Sequence, residues 1–126
     1  MENKLIGQMF LEVDAVTSKL CSINFLNGNL SIECPWRIEY REQMYIGSAD
    51  FQAIGNDNTI QKIEQLLAYQ KVMNVKVNYQ KGDLVIQFTN NIKLIIFPNN
   101  YQFENWQLKI QSDVLVSQAG GEVIEF

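Results

Sequence analysis

The sequence predicts an α+β fold: an antiparallel β-sheet or partly closed barrel built from two related meanders, with one α-helix at about 59–70. Three observations carry this expectation. Short runs of alternating apolar and polar residues recur along the chain, punctuated by Gly, Asn, Asp and Ser. One stretch alone has helical period. Two hairpin-like segments lying half the chain length apart resemble each other. At 126 residues the chain fits a single domain, 1–126, and its 47% apolar content can supply one core.

The elements follow in order. Residues 9–16 read as a strand, with Leu11, Val13 and Ala15 alternating against Glu12 and Asp14. Residues 20–26 and 29–34 flank Asn27-Gly28, a hairpin signal. A two-residue turn at that dipeptide pairs Phe25 with Leu30, Ile23 with Ile32 and Cys21 with Cys34. All six are apolar and share one face, and a one-residue slip would mix the faces. It would also set Cys21 and Cys34 roughly 4.5 Å apart at Cα, the short end of the disulfide range. In a reducing compartment the pair reads as core that contains sulfur.

Strands are expected at 36–40 and at 45–51, the second interrupted near Gly47 and Ser48. The helix rests on Ile60, Ile63, Leu66 and Leu67, which build one apolar stripe. Asn58 suits its N-cap and Gln61 the capping-box position. Further strands are expected at about 72–79, 84–89, 92–97, 104–110, 114–118 and 122–126. A turn at Lys81-Gly82 would pair Tyr79 with Leu84, Val77 with Ile86 and Val75 with Phe88. Residues 92–97 are apolar on both faces except at Lys93, which reads as a central strand covered on both sides, one of them by the helix.

Sliding the chain by 63 residues lays 22–35 on 85–98 with five of fourteen positions identical: Ile23/Ile86, Phe25/Phe88, Asn27/Asn90, Ile32/Ile95 and Pro35/Pro98. Two readings stand. Hairpins share composition and coincide, or the core is pseudo-symmetric.

Little in the chain points to catalysis. It has no histidine, which removes imidazole acid–base chemistry and His-ligated zinc. It carries no Gly-rich phosphate loop and no calcium loop, so no cofactor and no metal are expected. The carboxylate pairs Glu12/Asp14 and Glu39/Glu42 read as solvated faces. The net charge of −4, without a Lys/Arg cluster, argues against nucleic acid. No segment has the length of a membrane span and the N-terminus lacks a signal-peptide pattern. The expected location is cytoplasmic.

Two stretches, CPWRIEY and YQFENWQL, join Trp to charged residues. Trp and Arg are favoured at binding hot spots. Trp36, Arg37, Tyr101, Glu104 and Trp106 are therefore the candidate anchors for a partner, with core packing as the competing role for each Trp.

Gly82, Leu84, Phe88, Leu94, Pro98, Glu104, Trp106, Leu108, Gly120, Gly121 and Phe126 form a pattern of G-x-L-x-x-x-F, an apolar strand ending in Pro, E-x-W-x-L, Gly-Gly and an aromatic end. This resembles a bacterial family of small proteins of unknown function. The chain departs from it at Ala119, where Pro usually precedes the Gly pair, and in the position of Tyr101. The resemblance implies a small cytoplasmic bacterial protein and carries no catalytic residues. By analogy with immunity families that stand beside toxins, the expected function is a non-enzymatic protein-binding module that occludes a toxin. The alternative is a small-molecule-binding protein or enzyme with a pocket in the sheet. A homodimer through an exposed edge strand is a third arrangement.

Overall fold

The computed structural model describes residues 1–16, 19–54 and 56–126, without the side chains of Cys21 and of residues 52–57, and among the described residues eleven strands form two antiparallel sheets. The first sheet contains β1 (Phe10–Val16), β2 (Lys19–Phe25), β3 (Gly28–Ile32), β9 (Trp106–Ile110), β10 (Asp113–Ser117) and β11 (Val123–Glu125), in that order across the sheet. The second contains β5 (Gln43–Gly47), β4 (Trp36–Tyr40), β8 (Ile92–Ile96), β7 (Leu84–Phe88) and β6 (Val72–Val77). The sheets stay open: they meet through the isolated Met9–Lys71 bridge and do not close into a barrel.

The strand order has a two-fold relation. Reading β1-β2-β3-β9-β10 in one sheet and β6-β7-β8-β4-β5 in the other, each strand has a counterpart. Each half makes a three-stranded meander in one sheet, then crosses to the other sheet to add a hairpin beside the other half's meander. Phe25 on β2 and Phe88 on β7 are counterparts, and their rings stack across the core at 6.2 Å. The pseudo-symmetric reading of the sequence echo is therefore the one the topology supports.

The echo is nonetheless only half structural. The β2–β3 turn has two residues, Leu26 and Asn27, since Phe25 pairs with Gly28. The β7–β8 turn has three, Thr89 to Asn91, since Phe88 pairs with Ile92. The extra residue puts the later identities out of phase. Ile32 points into the core and Ile95 points out of it.

The hairpin registers differ from expectation in one consistent way. Ile23 pairs with Leu30 rather than Ile32, and Val77 with Leu84 rather than Ile86. Both hairpins are displaced by two residues, which leaves the apolar residues on the same face. Patterning fixes which face a residue takes and is blind to such a shift. In the first hairpin, Gly28 serves as a strand residue, not a turn residue. A Cβ there would stand 3.3 Å from Leu5 Cδ1 and 3.3 Å from the Lys109 carbonyl oxygen. The turn is held instead by Gln8, whose Oε1 accepts from Asn27 N at 2.8 Å, and by Met9 O, which accepts from Leu26 N at 3.0 Å. Position 21 then falls opposite 32, not opposite Cys34, which lies beyond the end of β3. The expectation for the Cys21 side chain lies outside the described residues.

The helical region is longer than expected. The second half of the expected 45–51 strand is helical: α1 spans Ser48–Ile54 and α2 spans Asn56–Leu67. Asp50 Oδ2 accepts from Gly47 N at 2.7 Å, and Phe51 turns inward against the Trp36 ring, edge-on at 5.7 Å. A helix-start carboxylate and an inward aromatic outweigh the strand-like alternation there. Asn58 lies inside α2 rather than at its cap. The helix ends early because Tyr69 takes a left-handed φ of 65°. Ile63 and Leu67 join the core, with α2 against β1 and α1 against β2 and β5. The helices thus fill one side of the sandwich and leave the outer face of β8 uncovered, contrary to expectation.

Candidate binding surface

The two tryptophans are structural. Trp36 is 3% exposed and Trp106 is 1% exposed. Each opens the first strand after a crossing between the sheets, so the two are counterparts under the two-fold. Trp106 Nε1 donates to Gly82 O at 2.7 Å. A buried indole with its N–H satisfied and an apolar body in the core cannot reach a partner. The expectation that Trp36 and Trp106 anchor a partner is corrected: both are core.

The crossings themselves differ. The first half passes from β3 to β4 through three residues, 33–35, whereas the second passes from β8 to β9 through nine, 97–105. The longer loop carries two candidate anchors, Tyr101 and Glu104, at the surface. It also displays Phe103. Tyr101 is 88% and Phe103 70% exposed.

This loop is pinned at its base. Asn105 is fully buried. Its Nδ2 donates to Gln118 O at 3.1 Å, its Oδ1 accepts from Asn100 Nδ2 at 2.9 Å, and its backbone N donates to Ser117 O at 2.8 Å. Its backbone carbonyl accepts from Glu33 N at 2.8 Å, tying one crossing to the other. Asn100 Oδ1 accepts from the backbone N–H of Gln102 at 3.0 Å and of Phe103 at 2.7 Å, a side-chain turn of the kind Asn favours. Asn100 O accepts from Gly120 N at 3.0 Å. Two asparagines thereby fix a loop whose tip presents two aromatic rings. Beside it lies an open cleft of about 380 Å³ lined by Glu33, Asn100, Phe103 and Glu104.

Arg37, the fifth candidate, stands elsewhere, on the outer face of the second sheet. Its Nε donates to Glu39 Oε2 at 2.9 Å and its guanidinium lies 5.7 Å from the Phe97 ring centroid. Two rows run across this face in register. Arg37, Ile95, Val85 and Lys76 form one; Glu39, Lys93, Gln87 and Asn74 form the other. A shallow open cleft of about 360 Å³ is lined by these eight residues.

The remaining chemistry is quiet. Cys34 is a half-buried free thiol whose pKa is pushed up to about 12, by burial first and by the nearby Asp83 and Glu33 carboxylates second. That is the opposite of an activated nucleophile. Asp14 accepts hydrogen bonds from Ser22 and Asn24, and Glu39 is held by Arg37. Among the described residues no three Cys, Asp or Glu side chains converge as metal ligands, and no buried side-chain N or O lacks a partner. Among these residues no helix is long and apolar enough to cross a membrane.

Sequence reasoning missed Phe103, Asn100 and Asn105. The signal was the run NNYQFEN, where asparagines bracket two aromatics within a stretch with no strand alternation. No protein-family description, curated protein or solved structure matches the chain.

Proposed function

We propose that the protein is a non-enzymatic binding module that engages a protein partner through loop 97–105. The observation that carries this reading is the exposure of Tyr101 and Phe103 on a loop held by buried Asn105. Burying an exposed aromatic ring is worth about 1.5–3 kcal/mol. A loop ordered before binding loses less conformational entropy when it binds. Rigid aromatic side chains on such a loop make efficient anchors. Glu104 lines the cleft beside Phe103, where Glu33 is already paired with Lys19, so the partner surface that fits is an apolar recess with a basic group at its rim to meet Glu104. An immunity-type role, in which the loop covers a toxin's working surface, is the specific form this reading takes by analogy with small proteins that stand beside toxins.

Site-specific photocrosslinking tests it. A photoreactive phenylalanine analogue replaces Phe103 in one variant and Lys109, exposed on the outer face of the first sheet, in another. The expected result is a single protein adduct from position 103 in cells of the native host and none from 109. No adduct at 103, or the same adducts from both positions, would overturn the reading.

A further inference from the structure

The two-fold relation supplies an internal control for the outer faces of the two sheets. The row Lys76, Val85, Ile95, Arg37 in the second sheet corresponds strand by strand to Asp14, Ser22, Ser31, Gln107 in the first. In the first sheet this face satisfies itself. Asp14 Oδ2 accepts from Asn24 Nδ2 at 2.9 Å and from Ser22 Oγ at 3.3 Å, Asn29 donates to Asn24, and Ser31 donates to Asn29 at 3.2 Å.

The second sheet's face is built oppositely. Its centre is apolar, Val85 and Ile95, and half-exposed because no helix covers it. Its cations are Arg37, Lys76 and Lys93, and its one carboxylate in the two rows, Glu39, is already bonded to Arg37. Among the described residues neither Lys76 nor Lys93 forms an ion pair. With Asp83, which lines a cleft beside Lys76 and Val85, the face carries three cations and two carboxylates, an excess of positive charge around an open apolar strip on a chain of net charge −4.

We propose that this face binds an extended acidic segment of a partner protein, with the pattern Glu-x-Leu-x-Glu. The spacing supports that occupant. From Arg37 to Lys76 is three strand-to-strand steps, about 14 Å, and alternate side chains i and i+4 of an extended peptide lie about 13 Å apart. The two carboxylates meet Arg37 and Lys76 while the leucine lies on Val85 and Ile95. Lys93 sits one row away and adds long-range attraction. This surface meets loop 97–105 only at its first residue, Phe97, on which Arg37 lies, and is separate from the exposed tip at 101–104, so neither reading depends on the other.

The probe is the peptide acetyl-Gly-Glu-Thr-Leu-Thr-Glu-Gly-amide, titrated into isotopically labelled protein and followed by amide chemical shifts. The expected result is saturable binding with shifts confined to β4, β6, β7 and β8. Binding should weaken at least about threefold with Lys76→Glu, and again on raising salt, as a screened surface ion pair requires. Tyr101→Ser with Phe103→Ser should leave it unchanged. The proposal would be overturned by no saturable binding, equal binding of the peptide with Lys in place of Glu, shifts centred on the loop tip at 101–104, or tighter binding to anionic lipid vesicles than to the peptide. Concentration-dependent dimerisation that occupies the same amides would place a second copy there and would also overturn it.

Discussion

Phe25 and Phe88 stand 63 residues apart in the chain and stack with ring centroids 6.2 Å apart and planes 18° from parallel. They are counterparts under the two-fold, so the core is joined where its two halves meet. Each truncation to Ala should cost about 3–5 kcal/mol. The double variant should cost less than the sum by about 0.5–1.5 kcal/mol, the coupling expected of an aromatic pair. Urea unfolding of the four proteins measures this. Strict additivity would mean the rings do not act on each other.

Asn105 should be worth far more than its place in a loop implies. Asn105→Ala leaves Gln118 O and Asn100 Nδ2 without their partner, a loss of about 1–3 kcal/mol. Amide exchange should quicken at Gln102 and Phe103, whose N–H groups rest on Asn100. Unchanged stability and exchange would show that the pin is idle.

Gly121 packs where the β6–β7 loop passes beneath the β10–β11 loop. Its φ is +102°, and a Cβ there would overlap the Lys81 carbonyl, which is backbone and cannot swing away. Gly121→Ala should therefore destabilise by more than about 2 kcal/mol, beyond the usual range for Gly-to-Ala in a compatible conformation. Gly7, with a φ of +88° but no atom within 4 Å of a Cβ, should lose less. Thermal unfolding of the two variants ranks them.

Alkaline pH should weaken the fold. Cys34 is raised from the ordinary 9.0 to about 12, mainly by burial, and Tyr79 from 10.0 to about 12, by burial first and then by its hydrogen bond to Glu2. In the unfolded chain both groups ionise first. Their contribution is complete below about pH 9 and is lost as pH rises toward 12. In a Cys21→Ser background, iodoacetamide should reach its half-maximal rate with Cys34 above about pH 11. A midpoint near the ordinary value would contradict the burial of this thiol.

Tyr101 and Phe103 should be dispensable for folding. Replacing both with Ser should change stability by no more than about 0.5 kcal/mol, the range for surface positions. A large loss would show that the rings pack in solution and are not displayed.

What the sequence made legible follows from what local patterns encode. Alternation placed Trp36 to Tyr40 and Leu84 to Phe88 closely, and it put the right faces inward in both early hairpins. It could not fix register, because a two-residue shift preserves every face. It missed α1, since SADFQAI alternates well enough to resemble a strand, and only the Asp50 cap and the inward Phe51 decide otherwise. Of the candidate anchors, Tyr101 and Glu104 do stand exposed on one loop. Trp36 and Trp106 do not, because a Trp beside an ion looks the same in sequence whether it faces a partner or the core. The two-fold was half visible: a one-residue difference in turns and a six-residue difference in crossings (nine against three) hide the Trp36–Trp106 correspondence.

The central claim is that loop 97–105 is held ready before any partner arrives. Backbone ¹⁵N relaxation on the free protein measures this most directly. The account predicts order parameters of about 0.85 from Asn100 to Asn105, like the flanking strands. Values below about 0.6 across the same residues would contradict it, since the two rings would then ride on a mobile loop and not on a fixed platform.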